Sequence, residues 1–271
     1  MPAGKRAHAR KRVVYSETRI GRPARLRAGG LPIRFVRSEA SGGPRAFQEP
    51  RAGRQAACEA AGALEAGAIV LALPRGGVPV AAAVAAALGL ELDLLLVRKL
   101  GLPYQPEFAI GAVGSGGVQV LQPGVPGLMG VTQEQVDAIS ARELSEIGRR
   151  ARLYRGGRPE PELARRQVII VDDGIATGST MEAAVKVARR RQAARVVVAV
   201  PVAPPDTLGR LAPEVDELVC LLSPLRFRAV SQWYETFEQT SDEEVQDLLA
   251  MAWSEQAHRP FDKQTNGKDQ Q

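Results

Sequence analysis

Histidine and cysteine are scarce in this chain of 271 residues, with two of each. Both histidines, His8 and His258, lie near the ends. The middle of the chain therefore lacks the material for a Ser-His-Asp or Cys-His triad, or for a histidine-based metal centre. Cys58 and Cys220 stand apart, each among apolar neighbours. That setting fits buried thiols in a reducing compartment better than a disulfide or a thiolate metal site, and it points to the cytoplasm. No apolar run approaches the ~20 residues that a membrane-spanning helix needs, and the N-terminal stretch has no apolar core of a signal peptide. Aromatic residues make up only 4% of the chain.

What is abundant is unevenly spread. The formal net charge is +6, from 36 basic and 30 acidic residues. Residues 1–46 hold twelve of the basic residues and two of the acidic ones, which leaves 24 against 28 for the remainder. The basic character thus belongs to one end. Residues 1–46, rich in Arg, Gly, Ala and Pro without a sustained period, read as an unstructured arm. Phosphate attraction would let such an arm touch nucleic acid, but it has almost no aromatics for base stacking. The simpler reading is an extension outside the chemistry. Residues 47–253 are expected to form one α/β domain and residues 254–271 an unstructured tail.

The stretch Val168–Thr180, VIIVDDGIATGST, organises that domain. Its branched apolar run is the pattern of a strand buried on both faces of a parallel sheet. Asp172 and Asp173 follow at the strand end, suited to a diol or to a metal ion. Then come Ala176, Thr177, Gly178, Ser179 and Thr180, where small residues, hydroxyls and a helix start make an anion site. The acidic pair joined to a phosphate cradle suits a sugar phosphate. A plain strand-turn-helix with an Asp cap needs one aspartate, and this turn has two.

A second strand, Ala68–Leu73, ends in Pro74-Arg75-Gly76-Gly77 and leads into an Ala-rich helix, Val78–Leu88. Glycines that admit the backbone closely, a permanently charged guanidinium and a helix N-terminus form another anion site. Leu92–Val97 reads as a third strand. Arg98 and Lys99 at its end are either further anion ligands or exposed strand-end cations, and Glu107 downstream is either an acid–base group or a cap or salt-bridge partner. Phe47–Glu65 has helical spacing, with Pro50 tolerated only in the first turn. Gly114–Leu121 reads as a short hairpin or extra strand. Thr132–Arg152 is a helix opened by a Thr132–Gln135 capping box, followed by a solvated basic turn, Arg155–Pro159. Beyond the acidic motif, Met181, Ala184, Val185 and Ala188 form an apolar helix stripe. Arg195–Val202 and Glu217–Leu222 read as the fourth and fifth strands, with a short helix at Thr207–Leu211 between them. Ser241–Ala252 is a final helix with Ser241 and Glu244 as its capping box. Trp233 and Tyr234 either stack on a planar ligand or pin that helix as a satellite core.

Three of these segments, PRGG, RKxG with PEFAIGA, and VDDGIATGST, together resemble the type I phosphoribosyltransferases over Phe47–Ala252. The nearest likeness is to an uncharacterised bacterial and archaeal phosphoribosyltransferase-like family. The resemblance implies a parallel sheet of about five strands with helices on both faces, plus a small hood. It implies 5-phosphoribosyl-1-pyrophosphate (PRPP) as donor and Mg2+ as cofactor. Asp172 and Asp173 would face the ribose hydroxyls and hold Mg2+ through water. Ala176–Thr180 would wrap the 5′-phosphate. Arg75, Gly76, Gly77 and Lys99 would meet the pyrophosphate, and Trp233 or Tyr234 the acceptor base. A homodimer is implied on the same ground. Enzymes for 6-oxopurines usually carry an acidic residue where this chain has Ala176, which disfavours hypoxanthine and guanine. The competing class is a regulator that binds PRPP or a nucleotide without turnover. A PRPP-synthetase-like enzyme also uses a VDD…TG-T loop, but the Arg-Gly-Gly turn and the absence of an evident ATP motif argue against it.

Overall fold

A computed structural model describes residues 64–258 except Pro123, together with Val14–Tyr15 and Ile33–Phe35; side chains of those two short segments and of Pro106 and Glu107 are outside it. The expected lead-in helix before Leu64, Cys58, most of the basic arm and the end of the tail therefore lie outside the described residues.

Seven strands form one sheet: β1 (Val14–Tyr15), β2 (Ile33–Phe35), β3 (Ile69–Ala72), β4 (Glu91–Leu94), β8 (Gln167–Val171), β9 (Arg195–Val202) and β10 (Glu217–Leu222). Their order is β1-β2-β10-β9-β8-β3-β4, and every pairing is parallel. The five strands from β10 to β4 are those expected of the domain. β1 and β2 extend the β10 edge from within the basic arm, where no strand was expected.

Period-two alternation divides the core. Val70 and Ala72 of β3, with Ile169 and Val171 of β8, join one cluster with Val78, Ala81 and Val84 of α1 (Gly77–Leu88). Ile69, Leu71, Val168 and Ile170 point the other way, onto Met181, Ala184, Val185 and Ala188 of α4 (Ser179–Arg190). All eight strand side chains are fully buried. At roughly 1.5–3 kcal/mol for burying a large aliphatic side chain, this double-sided apolar run holds the centre of the sheet together.

The expected third strand ends sooner than its apolar run. β4 stops at Leu94, and the chain leaves the sheet to form β5 (Val97–Leu102), β6 (Gln105–Gly114) and β7 (Val118–Leu121), a separate antiparallel sheet. This sheet packs against α4, so closely that a Cβ on Gly114 would lie 2.5 Å from Val187 Cγ1. After the short α2 (Val125–Leu128), α3 (Gln133–Arg155) begins with the expected Thr132–Gln135 capping box. It runs past Arg152 to Arg155, whose guanidinium is buried rather than solvated. Arg155 Nε donates to Asp93 Oδ1 at 2.8 Å, and Nη2 to the Leu94 carbonyl at 2.7 Å. Both side chains of the pair are 2% exposed. Burial raises the Asp93 pKa, against the pull of Arg155.

The short α5 (Pro205–Leu211) follows β9, and α6 (Asp242–Ala257) closes the domain. Ser241 caps α6 by accepting from the Glu244 N–H. The helix continues five residues beyond the expected end, into the stretch expected to be tail. Trp253 anchors it there, donating from Nε1 to the Leu92 carbonyl at 2.9 Å. Among the described residues no helix is long and apolar enough to cross a membrane.

Candidate active site

β3 and β8 are neighbours, with Ala72 paired to Val171. From β3 the chain crosses through α1 to β4 on one side. From β8 it crosses through α4 to β9 on the other. The two helices lie on opposite faces, so a crevice opens outside the carboxyl ends of β3 and β8. In open α/β sheets ligands bind at such a switch point. The loops that leave these two strands are Pro74–Gly77 and Asp172–Gly178, the two segments singled out by the sequence.

They touch. A Cβ on Gly76 would lie 2.0 Å from Asp173 Oδ2, and one on Gly77 would lie 2.9 Å from Asp172 Cα and 3.0 Å from its Oδ1. No side chain fits at either position without moving an aspartate. The Leu73 N–H donates to the Val171 carbonyl at 2.9 Å, which brings the turn to the foot of the acidic pair. The Pro74–Arg75 peptide is cis.

Two helix N-termini open at this place. The N-cap of α1 is Gly76 and that of α4 is Gly178, and neither receives a side-chain cap. By contrast α3 and α6 are capped by Thr132 and Ser241. The first N–H groups of a helix have no partner within it, so α1 and α4 present donors and positive dipole ends to an incoming anion. Gly178 sits at φ +84°, in the left-handed region that favours glycine. Thr177 Oγ1 and Ser179 Oγ are 3.4 Å apart at the mouth of this loop.

The electrostatics are set by the paired carboxyls. Burial, and then the neighbouring Asp173 charge, hold the Asp172 pKa well above the usual carboxylate range. Burial pushes Asp173 up to about 6. The Asp172 Oδ1 accepts from the Asp173 N–H at 2.9 Å, which orients the first carboxylate.

Arg75 is two-fifths exposed and leans towards α6. Its Nη1 is 3.8 Å from Asp242 Oδ1, and its Nη2 is 3.5 Å from Gln239 Oε1. Asp242 also accepts from the Tyr154 hydroxyl at 2.7 Å. Long contacts on an exposed cation are weak, so Arg75 remains able to turn towards a ligand.

The remaining expected site residues divide. Lys99 is not at a strand end of the parallel sheet: it lies within β5, paired with Ala112 in the antiparallel sheet. Arg98 beside it is held by Glu143 of α3 at 2.9 Å. The Glu143 carboxylate, raised by burial but lowered more by Arg98 and Arg142, stays below its ordinary value. The Glu107 side chain lies outside the described residues. Tyr234 is buried, and its hydroxyl donates to the Asp173 carbonyl at 2.5 Å. Its ring rests on Phe237 at 5.3 Å between centroids. Through these contacts Tyr234 supports the acidic loop. Trp233 Nε1 is buried with no hydrogen-bond partner among the described residues. Val230 nearby closes on Gly174, where a Cβ would lie 2.8 Å from Val230 Cγ1. Thr207, Arg210, Gln239 and Asp242, which hold the two loops from outside, were not singled out in the sequence. Only Asp242 had a local signal, its place beside the Ser241 cap.

The phosphoribosyl transferase domain family matches residues 65–222, from just before β3 to the end of β10. The chain belongs to this family. The two motif loops fall inside that span, at the ends of its central strands. Two proteins of Mycobacterium tuberculosis, provisionally named phosphoribosyl transferases, are each 48% identical over 210 residues, covering 78% of this chain. The chain spans 46% of the length of these relatives. The crystal structure of TT1426 from Thermus thermophilus superposes with a TM-score of 0.70 at 44% identity. It covers 76% of this chain and 98% of its own. Phosphoribosyl transferase membership and the mostly parallel sheet thus agree with the resemblance read from the three motifs.

Proposed function

We propose that this phosphoribosyl transferase domain binds PRPP and transfers its ribose 5-phosphate to a nucleobase-like acceptor, releasing pyrophosphate. The observation that carries the reading is the contact between Gly76 and Asp173. An anion-receptive turn and a diol-receptive acidic pair share one wall, as a ribose with pyrophosphate on C1 and hydroxyls on C2 and C3 requires.

In this reading Asp172 and Asp173 accept from the ribose hydroxyls. Ala176–Thr180 and the α4 N-terminus hold the 5′-phosphate. Arg75, with the Gly76 and Gly77 backbone, meets the pyrophosphate. Positive charge spreads over the ribose ring as the leaving group departs, so the chain works by fixing geometry and by stabilising the departing anion. Turning Arg75 from Gln239 and Asp242 to the pyrophosphate brings a permanent cation to the place where negative charge grows.

Mg2+ fits the donor set. Two hard carboxylates stand together, and no group of three His, Cys, Asp or Glu side chains that could hold a metal ion is found among the described residues. An ion shared with the donor's own oxygens and water suits that arrangement. It would supply charge neutralisation for the leaving pyrophosphate, and Asp172 and Asp173 would hold it through water. Lys99, carried on β5, is the second cation proposed for the pyrophosphate. Glu107 is the candidate for proton transfer, and Trp233 or Tyr234 for packing on the acceptor. With Ala176 in the loop, adenine-type or orotate-type acceptors are favoured over 6-oxopurines. The buried, free Cys220 fits a reducing cytoplasm, and a homodimer is the proposed assembly.

The test is pyrophosphate release from PRPP across a panel of bases, with Mg2+ present. Release with one acceptor supports the enzyme. PRPP binding without release with any of them overturns turnover and leaves a sensor of PRPP.

A further inference from the structure

α5 carries no motif, yet it grips the phosphate loop. Thr207 Oγ1 donates to the Ala176 carbonyl at 2.8 Å, and Arg210 Nη2 donates to the Thr177 carbonyl at 2.8 Å. Arg210 Nη2 also lies 3.4 Å from Thr207 Oγ1, so the two grips are joined. The peptide bonds concerned are trans, since the cis bond among the described residues is Pro74–Arg75. In a planar trans peptide the N–H points opposite to the C=O. Turning the carbonyls of Ala176 and Thr177 to α5 therefore turns the N–H groups of Thr177 and Gly178 away from it.

Two further contacts belong to the same device. The Thr207 methyl packs on Gly178, where a Cβ would lie 2.7 Å from Thr207 Cγ2. Arg210 Nε stands 4.0 Å from Glu182 Oε1 in the first turn of α4. There a carboxylate would repel a bound phosphate, and the guanidinium offsets it.

We propose that Thr207 and Arg210 are positioning residues for phosphate recognition. They fix two peptide units of the loop so that their N–H groups, with the open end of α4, converge on the 5′-phosphate. The inference rests on the PRPP reading of the site. A merely structural role would be to dock α5, but Leu208 and Leu211 are fully buried and already do so.

The experiment titrates ribose 5-phosphate and, separately, pyrophosphate into the full chain by calorimetry with Mg2+ present. Thr207→Val keeps the shape and the methyl group but removes the donor. It is expected to weaken ribose 5-phosphate binding by about tenfold while leaving pyrophosphate affinity and melting temperature near wild type. Thr207→Ser, which keeps the hydroxyl, is expected to restore ribose 5-phosphate binding. Arg210→Gln is expected to weaken the same ligand selectively. If wild type binds ribose 5-phosphate and Thr207→Val binds it equally well, the positioning role is overturned and the PRPP reading stands. Equal loss of both ligands together with a lowered melting temperature also overturns it, in favour of a structural role. If wild type binds no ribose 5-phosphate, both readings fall.

Discussion

Gly76 abuts Asp173 so closely that a methyl group placed on the glycine would lie 2.0 Å from the Asp173 Oδ2. Two loops almost a hundred residues apart thereby share one surface. Gly76→Ala must displace either the turn or the carboxylate. Its φ of −57° suits alanine, so the cost is steric rather than conformational. PRPP affinity, measured by calorimetry, is expected to fall at least tenfold, and stability by about 1–3 kcal/mol as for overpacking. Wild-type affinity in this variant would break the link between the two loops.

The acidic pair supplies the second prediction. Asp172→Asn combined with Asp173→Asn is expected to abolish PRPP binding in the presence of Mg2+ while leaving the fold intact by circular dichroism. The variant should also melt no lower than wild type at neutral pH, because it removes two adjacent carboxyls whose charged forms are disfavoured in the fold. Retained PRPP binding would remove the carboxylates from the site.

The pH dependence of stability follows from the same pair. A carboxyl with a folded pKa above its unfolded value binds protons in the folded state where the unfolded chain has released them. For Asp173 that contribution is complete below about 3.8 and is lost as pH rises through about 6. Asp172, also raised, acts with the same sign. The difference in unfolding free energy between wild type and Asp173→Asn, followed by urea titration from pH 4 to pH 7, should move against wild type as pH rises. A difference that stays flat or moves the other way would contradict the raised value.

Away from the site, the buried Arg155–Asp93 pair ties the end of α3 to β4. Arg155→Ala strands the Asp93 carboxylate in the interior, at an expected cost of about 3–5 kcal/mol. Arg155→Met with Asp93→Leu removes both charges and should recover much of that loss. Urea melts of the two variants decide the matter, and a double variant no better than the single one would contradict the argument.

The central strands were legible because they are buried on both faces, so their apolar runs are continuous. β9 and β10 begin and end where the sequence alone sets them, at Arg195–Val202 and Glu217–Leu222. Capping at Thr132 and Ser241 was legible because it is local chemistry within one helical turn. The two ligand loops were legible for the same reason, each a contiguous run of small, acidic or cationic residues at a strand end. That they serve one ligand followed from the family resemblance, but their contact at Gly76 and Asp173 did not, because it depends on β3 pairing with β8. The apolar run Leu92–Val97 does not tell where β4 ends, since Leu95 and Leu96 are buried in the link to β5 as fully as if they were in the strand. That link carries Lys99 into a different sheet. Arg155 looks like a solvated turn residue until α3 docks and offers it Asp93. That the Tyr234 hydroxyl meets the Asp173 carbonyl is decided by docking, across 61 residues of chain. Thr207 and Arg210 carry no signal at all, because their partners are backbone carbonyls about thirty residues away. Local patterns of burial and capping chose the elements and the chemistry, whereas the docking of helices and loops chose which side chains support that chemistry.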